Sequence, residues 1–213
     1  LTYLEVCNRV LRRLRENEVT TVNETPYSKL IGDLVNAAKV EIEDAWDWSA
    51  LRTTLTATTT SSLFNYVLVD SGTRLRVLDI INDTDDFVMQ QRGTKWFDQQ
   101  FLLNSQQLGS PMYYNFNGVD SNGDSQIDLF PIPDGVYDIR INCVLPQPEL
   151  EADATKILIP SLVLVEATLA RAISERGEDG GSVEQEQRYR TMLSDYIAIE
   201  SSQRLDETVW RAC

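Results

Sequence analysis

Histidine is absent from this chain of 213 residues. That removes Ser-His and Cys-His nucleophile pairs, histidine general bases and histidine metal ligands from consideration. Cysteine is scarce: its three occurrences, Cys7, Cys143 and Cys213, lie far apart and lack zinc or redox spacing. Cys7 and Cys143 fall on apolar faces and read as buried free thiols of a reducing cytosol, and Cys213 reads as exposed. No long apolar run occurs either. The longest, Ile157 to Ala170, is interrupted by Pro160, Ser161 and Glu166 and falls short of the roughly 20 residues a spanning helix needs. The first residues read as a helix start rather than a signal peptide, so a soluble protein with no membrane partner, staying where it is made, is expected. Positive charge is in deficit, with 19 Lys and Arg against 33 Asp and Glu and a net charge of −14. Such a surface repels phosphates rather than neutralising them. Ordinary solubility is one reading of that charge, and a surface that DNA passes without sticking is the other. Phosphate-cradling and dinucleotide-type glycine patterns are also missing. Carboxylates are so abundant that no catalytic pair stands out. The chain is therefore expected to be no enzyme, with no metal and no cofactor.

What is present is an ordinary globular composition, 42% hydrophobic and 24% charged. The pattern runs helix, then strand, then helix. Thr2 and Glu5 have capping-box spacing, and Leu4, Cys7, Leu11 and Leu14 follow at helical intervals in a helix that should fade near Asn17. A second helix is expected from about Ser28, with Leu30, Ile31, Leu34, Val35, Ala38, Ile42, Ala45 and Trp46 on one broad stripe. From about Arg52 the period becomes two. Thr53 to Thr60, Tyr66 to Val69, Leu75 to Ile81, Phe87 to Gln91, Lys95 to Phe97, Gln126 to Phe130 and Val136 to Val144 read as strands. In the last of these Tyr137, Ile139, Ile141 and Cys143 share one face, as in an antiparallel sheet wet on one side. After Pro160 helical spacing returns, with a stripe of Leu162, Val165, Leu169 and Ile173. Ser182 with Gln185 looks like a fresh capping box, and Tyr189, Met192, Leu193, Tyr196 and Ile197 line a last helix. The expected class is α+β: a helical bundle from 1–50 and 157–202, a β domain inserted over 51–156, and a C-terminal arm over 203–213.

Few segments carry site chemistry. Asp120-Ser121-Asn122-Gly123-Asp124 begins like a calcium loop, but Ser125 and Pro131 stand where glycine and a bidentate glutamate belong. Asn122-Gly123 is better read as a hairpin turn, and Asn82 to Asp86 as a solvated one. Arg9, Arg12, Arg13 and Arg15 concentrate positive charge on the first helix, either as a solvated face or as a contact for an acidic neighbour, another copy or a partner ring. Trp46 continues its helix stripe and reads as core. Trp96-Phe97 and Tyr113-Tyr114 suit cross-strand packing, or a sugar-stacking platform in a carbohydrate-binding β module. Beyond the last helix, Gln203 to Cys213 sets Leu205, Val209 and Trp210 among charges that include Arg204 and Arg211. It reads as a frayed end or as an arm that orders on docking with Trp210 as its anchor.

Several of these segments together resemble the head-to-tail adaptor, or connector, family of tailed bacteriophages, including the tail tubular protein A type of short-tailed phages. They are the opening helices ending near Trp46-Asp47-Trp48, the β insertion, Pro111-Met112-Tyr113-Tyr114, the strand end Leu129-Phe130-Pro131-Ile132-Pro133-Asp134, and the helix pair opened by Ile159-Pro160. The resemblance implies a virion structural protein of the neck and tail region, assembled in the host bacterial cytoplasm. It implies a ring of about twelve copies between the portal protein and the tail nozzle or tail protein. Double-stranded DNA would pass through the ring without specific binding. It further implies that the C-terminal segment, here with Arg204, Leu205, Val209, Trp210 and Arg211, reaches the portal. Another phage neck, collar or baseplate component would share the same plan.

Overall fold

The computed structural model describes residues 1–103, 106–177 and 181–202. In chain order the elements are α1 (Tyr3–Arg13), α2 (Pro26–Ala45), a 3-10 turn (Ser49–Leu51), β1 (Arg52–Thr58), β2 (Asn65–Val67), β3 (Arg76–Asn82), β4 (Phe87–Val88), β5 (Gln90–Gln91), α3 (Thr94–Leu103), β6 (Tyr113–Val119), β7 (Ser125–Phe130), β8 (Asp138–Val144), α4 (Ser161–Glu175) and α5 (Ser182–Ser202). The fold is α+β. The chain forms two compact units, one from Leu1–Leu51 with Gln147–Cys213 and one from Arg52–Pro146.

In the helical unit, α1 opens with the capping box that the Thr2/Glu5 spacing predicts: Glu5 N donates to Thr2 Oγ1, and Thr2 N donates to Glu5 Oε2 at 2.9 Å. The helix ends at Arg13, short of Asn17, because Arg15 turns left-handed at φ 59° and reverses the chain. The α2 helix begins earlier than Ser28. Thr25 is its N-cap, Pro26 occupies the first turn, and Ser28 is the third helical residue of the cap. Gly32 is required by packing, since a Cβ there would lie 2.7 Å from Val22 Cγ1 and against the Tyr3 hydroxyl. At the other end of α2 it is Trp48 that is fully buried, with its Nε1 donating to Ile42 O at 2.7 Å, while Trp46 is half-buried.

The centre of this unit is α4, in which every residue from Val163 to Ala170 is buried. The stripe expected there is too narrow: Val165 and Leu169 are buried, but so are the residues between them, Leu162 is 40% exposed, and the helix contacts α1, α2 and α5 around its circumference. Ser182 and Gln185 form no capping box. Gln185 N bonds Gly181 O, and its side chain reaches α4 instead. The α5 helix is one-sided, with Tyr189 buried and Met192, Leu193, Tyr196 and Ile197 half-buried.

In the sheet unit, one four-stranded sheet has the order β1-β8-β3-β4 and the other β2-β7-β6-β5. A shared core of Tyr66, Leu68, Ile80, Met89, Tyr114, Ile127, Leu129, Ile139, Ile141 and Cys143 joins them. Met89 divides the expected strand Phe87 to Gln91, so that β4 pairs with β3 and β5 pairs with β6. Lys95 to Phe97 is not a strand but the first turn of α3. Phe97 and Phe101, one helical turn apart, both stack against Phe130, whereas a strand would hold them on one face but about 13 Å apart. The β6–β7 hairpin turns through Asn122-Gly123 with Gly123 at φ 88°, as its sequence predicts.

Candidate functional site

The arginines of α1 do not share one environment. Arg13 Nη1 donates to Glu166 Oε1 at 2.6 Å, and that glutamate is 1% exposed in the middle of α4. Glu166 also accepts from Gln185 Nε2 of α5, with Arg188 Nε at 3.9 Å. A buried carboxylate is costly unless charge and hydrogen bonds answer it. Glu166 thus fastens α1 and α5 to α4, and Arg13 belongs to that fastening. Arg12 pairs with Glu18 at 3.2 Å on the surface, and Arg9 is exposed. Arg9, Arg12 and Arg13 line a shallow depression of about 310 Å³ floored by Leu162 and Val165, a basic rim over an apolar base. Arg13 also borders a second depression, with Leu14, Arg15, Leu169, Ile173 and Arg176.

Two further polar constructions lie in the same unit. Glu41 accepts from Arg171 and from the Tyr189 hydroxyl beside a polar cavity of about 320 Å³ that Arg190 and Glu186 complete. Burial, and then the Glu41 charge, push the Tyr189 hydroxyl up to about 12. On α2, Lys39 and Glu43 are both buried one turn apart, with 3.2 Å between Lys39 Nζ and the Glu43 carboxylate. Lys39 Nζ donates to Gln147 O at 2.6 Å and Gln147 N donates to Glu43 Oε1 at 3.1 Å. Asn36 repeats the motif one turn earlier, giving and receiving a hydrogen bond with the Leu150 backbone. The helix thus reads the returning chain as an adjacent strand would.

Neither Cys7 nor Cys143 is an activated nucleophile. Burial pushes Cys7 up to about 12, and raises Cys143, the reverse of what a reactive cysteine needs. In the sheet unit Trp96 packs against Phe97, Tyr113 and Phe130, and the Arg92 guanidinium lies 5.9 Å from its ring centroid and 5.1 Å from that of Tyr113. The rings a sugar would stack on are engaged in packing and covered by a cation. Asp120 Oδ1 accepts from the N–H groups of Asn122 and Asp124, and the Asp124 carboxylate accepts from those of Asp70 and Gly72. These carboxylates serve turns, and no group of three or more metal-ligating side chains occurs among the described residues. Arg204, Leu205, Val209, Trp210 and Arg211 lie outside the described residues.

Sequence reasoning missed the buried charges. The signals were present: Glu166 interrupts an apolar run, and Lys39 and Glu43 sit beside Ala38 and Ile42 on the buried face. Nothing in their spacing says that they answer a charge or a backbone group elsewhere in the chain.

Among the described residues these surfaces offer contacts of charge and shape. The family described as SU10 adaptor protein matches residues 1–211, and the chain belongs to that family, a phage head-to-tail adaptor family. Membership makes it a phage adaptor structural protein, of a kind generally without enzymatic activity. No curated protein matches the chain. No helix among the described residues is long and apolar enough to cross a membrane.

Proposed function

We propose that this chain is the ring-forming adaptor that joins the portal protein to the tail nozzle or tail protein in the neck of the virion. The observation that carries the reading is that the family match runs from residue 1 to residue 211, through both units and into the C-terminal segment. In this reading about twelve copies close a ring in the host cytoplasm, in the manner of the short-tailed phages' tail tubular protein. The net charge of −14 supports a channel wall that DNA slides past during ejection without being held. The helical unit acts as the helical domain, the sheet unit of Arg52–Pro146 as the inserted β domain, and 203–213 as the arm. Arg204, Leu205, Val209, Trp210 and Arg211 seat that arm on the portal, with the tryptophan as its apolar anchor. The exposed Arg9 and Arg12, with Leu162 below them, suit an acidic surface on a neighbouring copy or ring.

Electron microscopy with mass determination tests this on the purified protein, alone and mixed with portal rings of the same virus. A ring capping the portal, lost when Gln203–Cys213 is deleted, is the expected result. A protein that stays monomeric and ignores the portal overturns the reading.

A further inference from the structure

Three strands that end a sheet in this unit are very short: β2 has three residues, β4 two and β5 two. Short edges are one device by which proteins prevent stray pairing. The fourth edge, β1, is seven residues long and pairs with β8 without a break, from Arg52↔Val144 to Thr58↔Asp138. Interior ladders in both sheets carry register shifts, but this edge ladder carries none. Between Arg52 and Thr60 there is no proline, glycine, lysine, aspartate or glutamate to discourage an incoming strand.

The direction of each backbone group on β1 follows from the neighbouring bonds. Thr59 N donates to Tyr137 O at 2.9 Å, and hydrogen-bonded pairs alternate along an antiparallel ladder. Thr53, Leu55 and Ala57 therefore turn their N–H and C=O groups toward β8, and Thr54, Thr56 and Thr58 turn theirs outward. The far side of β8 agrees, since Asp83 N donates to Asp138 O at 2.8 Å and so assigns the even-numbered residues of β8 to β3. Thr54, Thr56 and Thr58 are exposed, while Leu55 and Ala57 lean on the core and are only half-buried.

This edge is self-complementary. Its three outward residues are symmetric about Thr56, so an antiparallel copy centred there matches Thr54 with Thr58 of the partner subunit and Thr56 with Thr56 of the partner subunit. Every outward N–H and C=O of the three is then satisfied. The intervening pairs place Leu55 opposite Ala57 of the partner subunit, and cross-strand apolar contact covers what is now half-exposed. Arg52 falls opposite Thr60 of the partner subunit, so no like charges meet. We propose that β1 is a homodimerisation edge, through which two copies of this chain join antiparallel about a two-fold axis at Thr56. A two-fold contact is closed and differs from the head-to-tail contacts that a ring needs. The dimer is a resting form of the chain outside any ring, and it stands or falls independently of portal binding.

Sedimentation over a concentration series, with Cys213→Ser as background, tests the proposal. The full chain is expected to dimerise. Thr56→Pro removes only an outward N–H, which an edge strand tolerates, and should raise the half-dimer concentration at least about tenfold with unchanged circular dichroism and melting. Register is read by oxidative cross-linking. Thr56→Cys brings its sulfurs to a pair about 5.5 Å apart at Cα, within disulfide reach, and should cross-link to its own copy. Thr54→Cys, about 14 Å from its equivalent, should not. A chain monomeric at every concentration, a dimer indifferent to Thr56→Pro, or equal cross-linking at both positions overturns the proposal. Should Thr56→Pro fail to fold, the cysteine pair decides alone.

Discussion

The helical unit and the sheet unit are held together by different chemistry. In the sheet unit the buried centre is a run of apolar side chains from both sheets, and Asn115 and Asp128 answer neighbours with their side-chain amide or carboxylate. In the helical unit the most buried positions include Lys39 and Glu43, both tied to Gln147, and Glu166, tied to Arg13. The difference has a physical origin. Strands bond to one another through their backbones, so a sheet's partners and register are specified by the ladder itself. Helices satisfy their backbones internally, and apolar faces alone leave the sliding and rotation of one helix on another weakly specified. Buried charge supplies the missing specificity here, at a desolvation cost that only the correct partners offset.

The comparison breaks most sharply at Glu43. Glu43→Ala leaves the Lys39 ammonium buried with its carboxylate gone and should destabilise the helical unit by about 4 kcal/mol in denaturant unfolding. The double change Lys39→Met with Glu43→Leu should recover most of that loss while loosening the segment after Gln147, read as faster amide exchange at Leu150. Equal stability of the single and double variants would remove buried charge from the account. Next in size, Ile141→Ala opens a cavity at the centre of the sandwich and should cost about 3 kcal/mol, with the loss confined to the sheet unit. Simultaneous loss of helical exchange protection would show that the two units unfold as one.

The smallest effect concerns alkaline pH. The Tyr189 hydroxyl is raised to about 12, first by burial and then by Glu41, whereas an unfolded tyrosine ionises near 10. Between those values the folded chain holds a proton that the unfolded chain has released. Its contribution is therefore complete below about pH 10 and is lost as pH rises toward 12. Tyr189→Phe should flatten the fall in melting temperature over that window, and an unchanged slope would show that Tyr189 contributes nothing to it.

Reading the sequence succeeded where the signal was local. The Thr2/Glu5 box, the alternation through Ile139, Ile141 and Cys143, and the Asn122-Gly123 turn depend on residues a few positions apart, and each is present. It failed where a distant partner decided. Trp96-Phe97 has strand-like composition but lies on a helix, because Phe97 and Phe101 must both reach Phe130. The stripe expected on α4 was drawn for a helix with one wet face, whereas α4 is covered by three helices. Arg13 looked like its surface neighbours on α1 until Glu166, 153 residues away, claimed it.

What the sequence by itself determined is the α+β class and the absence of histidine chemistry, since composition and local period need no partner to act; the likeness to phage adaptors rests on its quoted segments. Only the tertiary structure decided which charges are buried and answered, which helix lies at the centre, and which strands end their sheets. Burial and pairing belong to neighbours in space, and a lone stretch of sequence does not contain its neighbours.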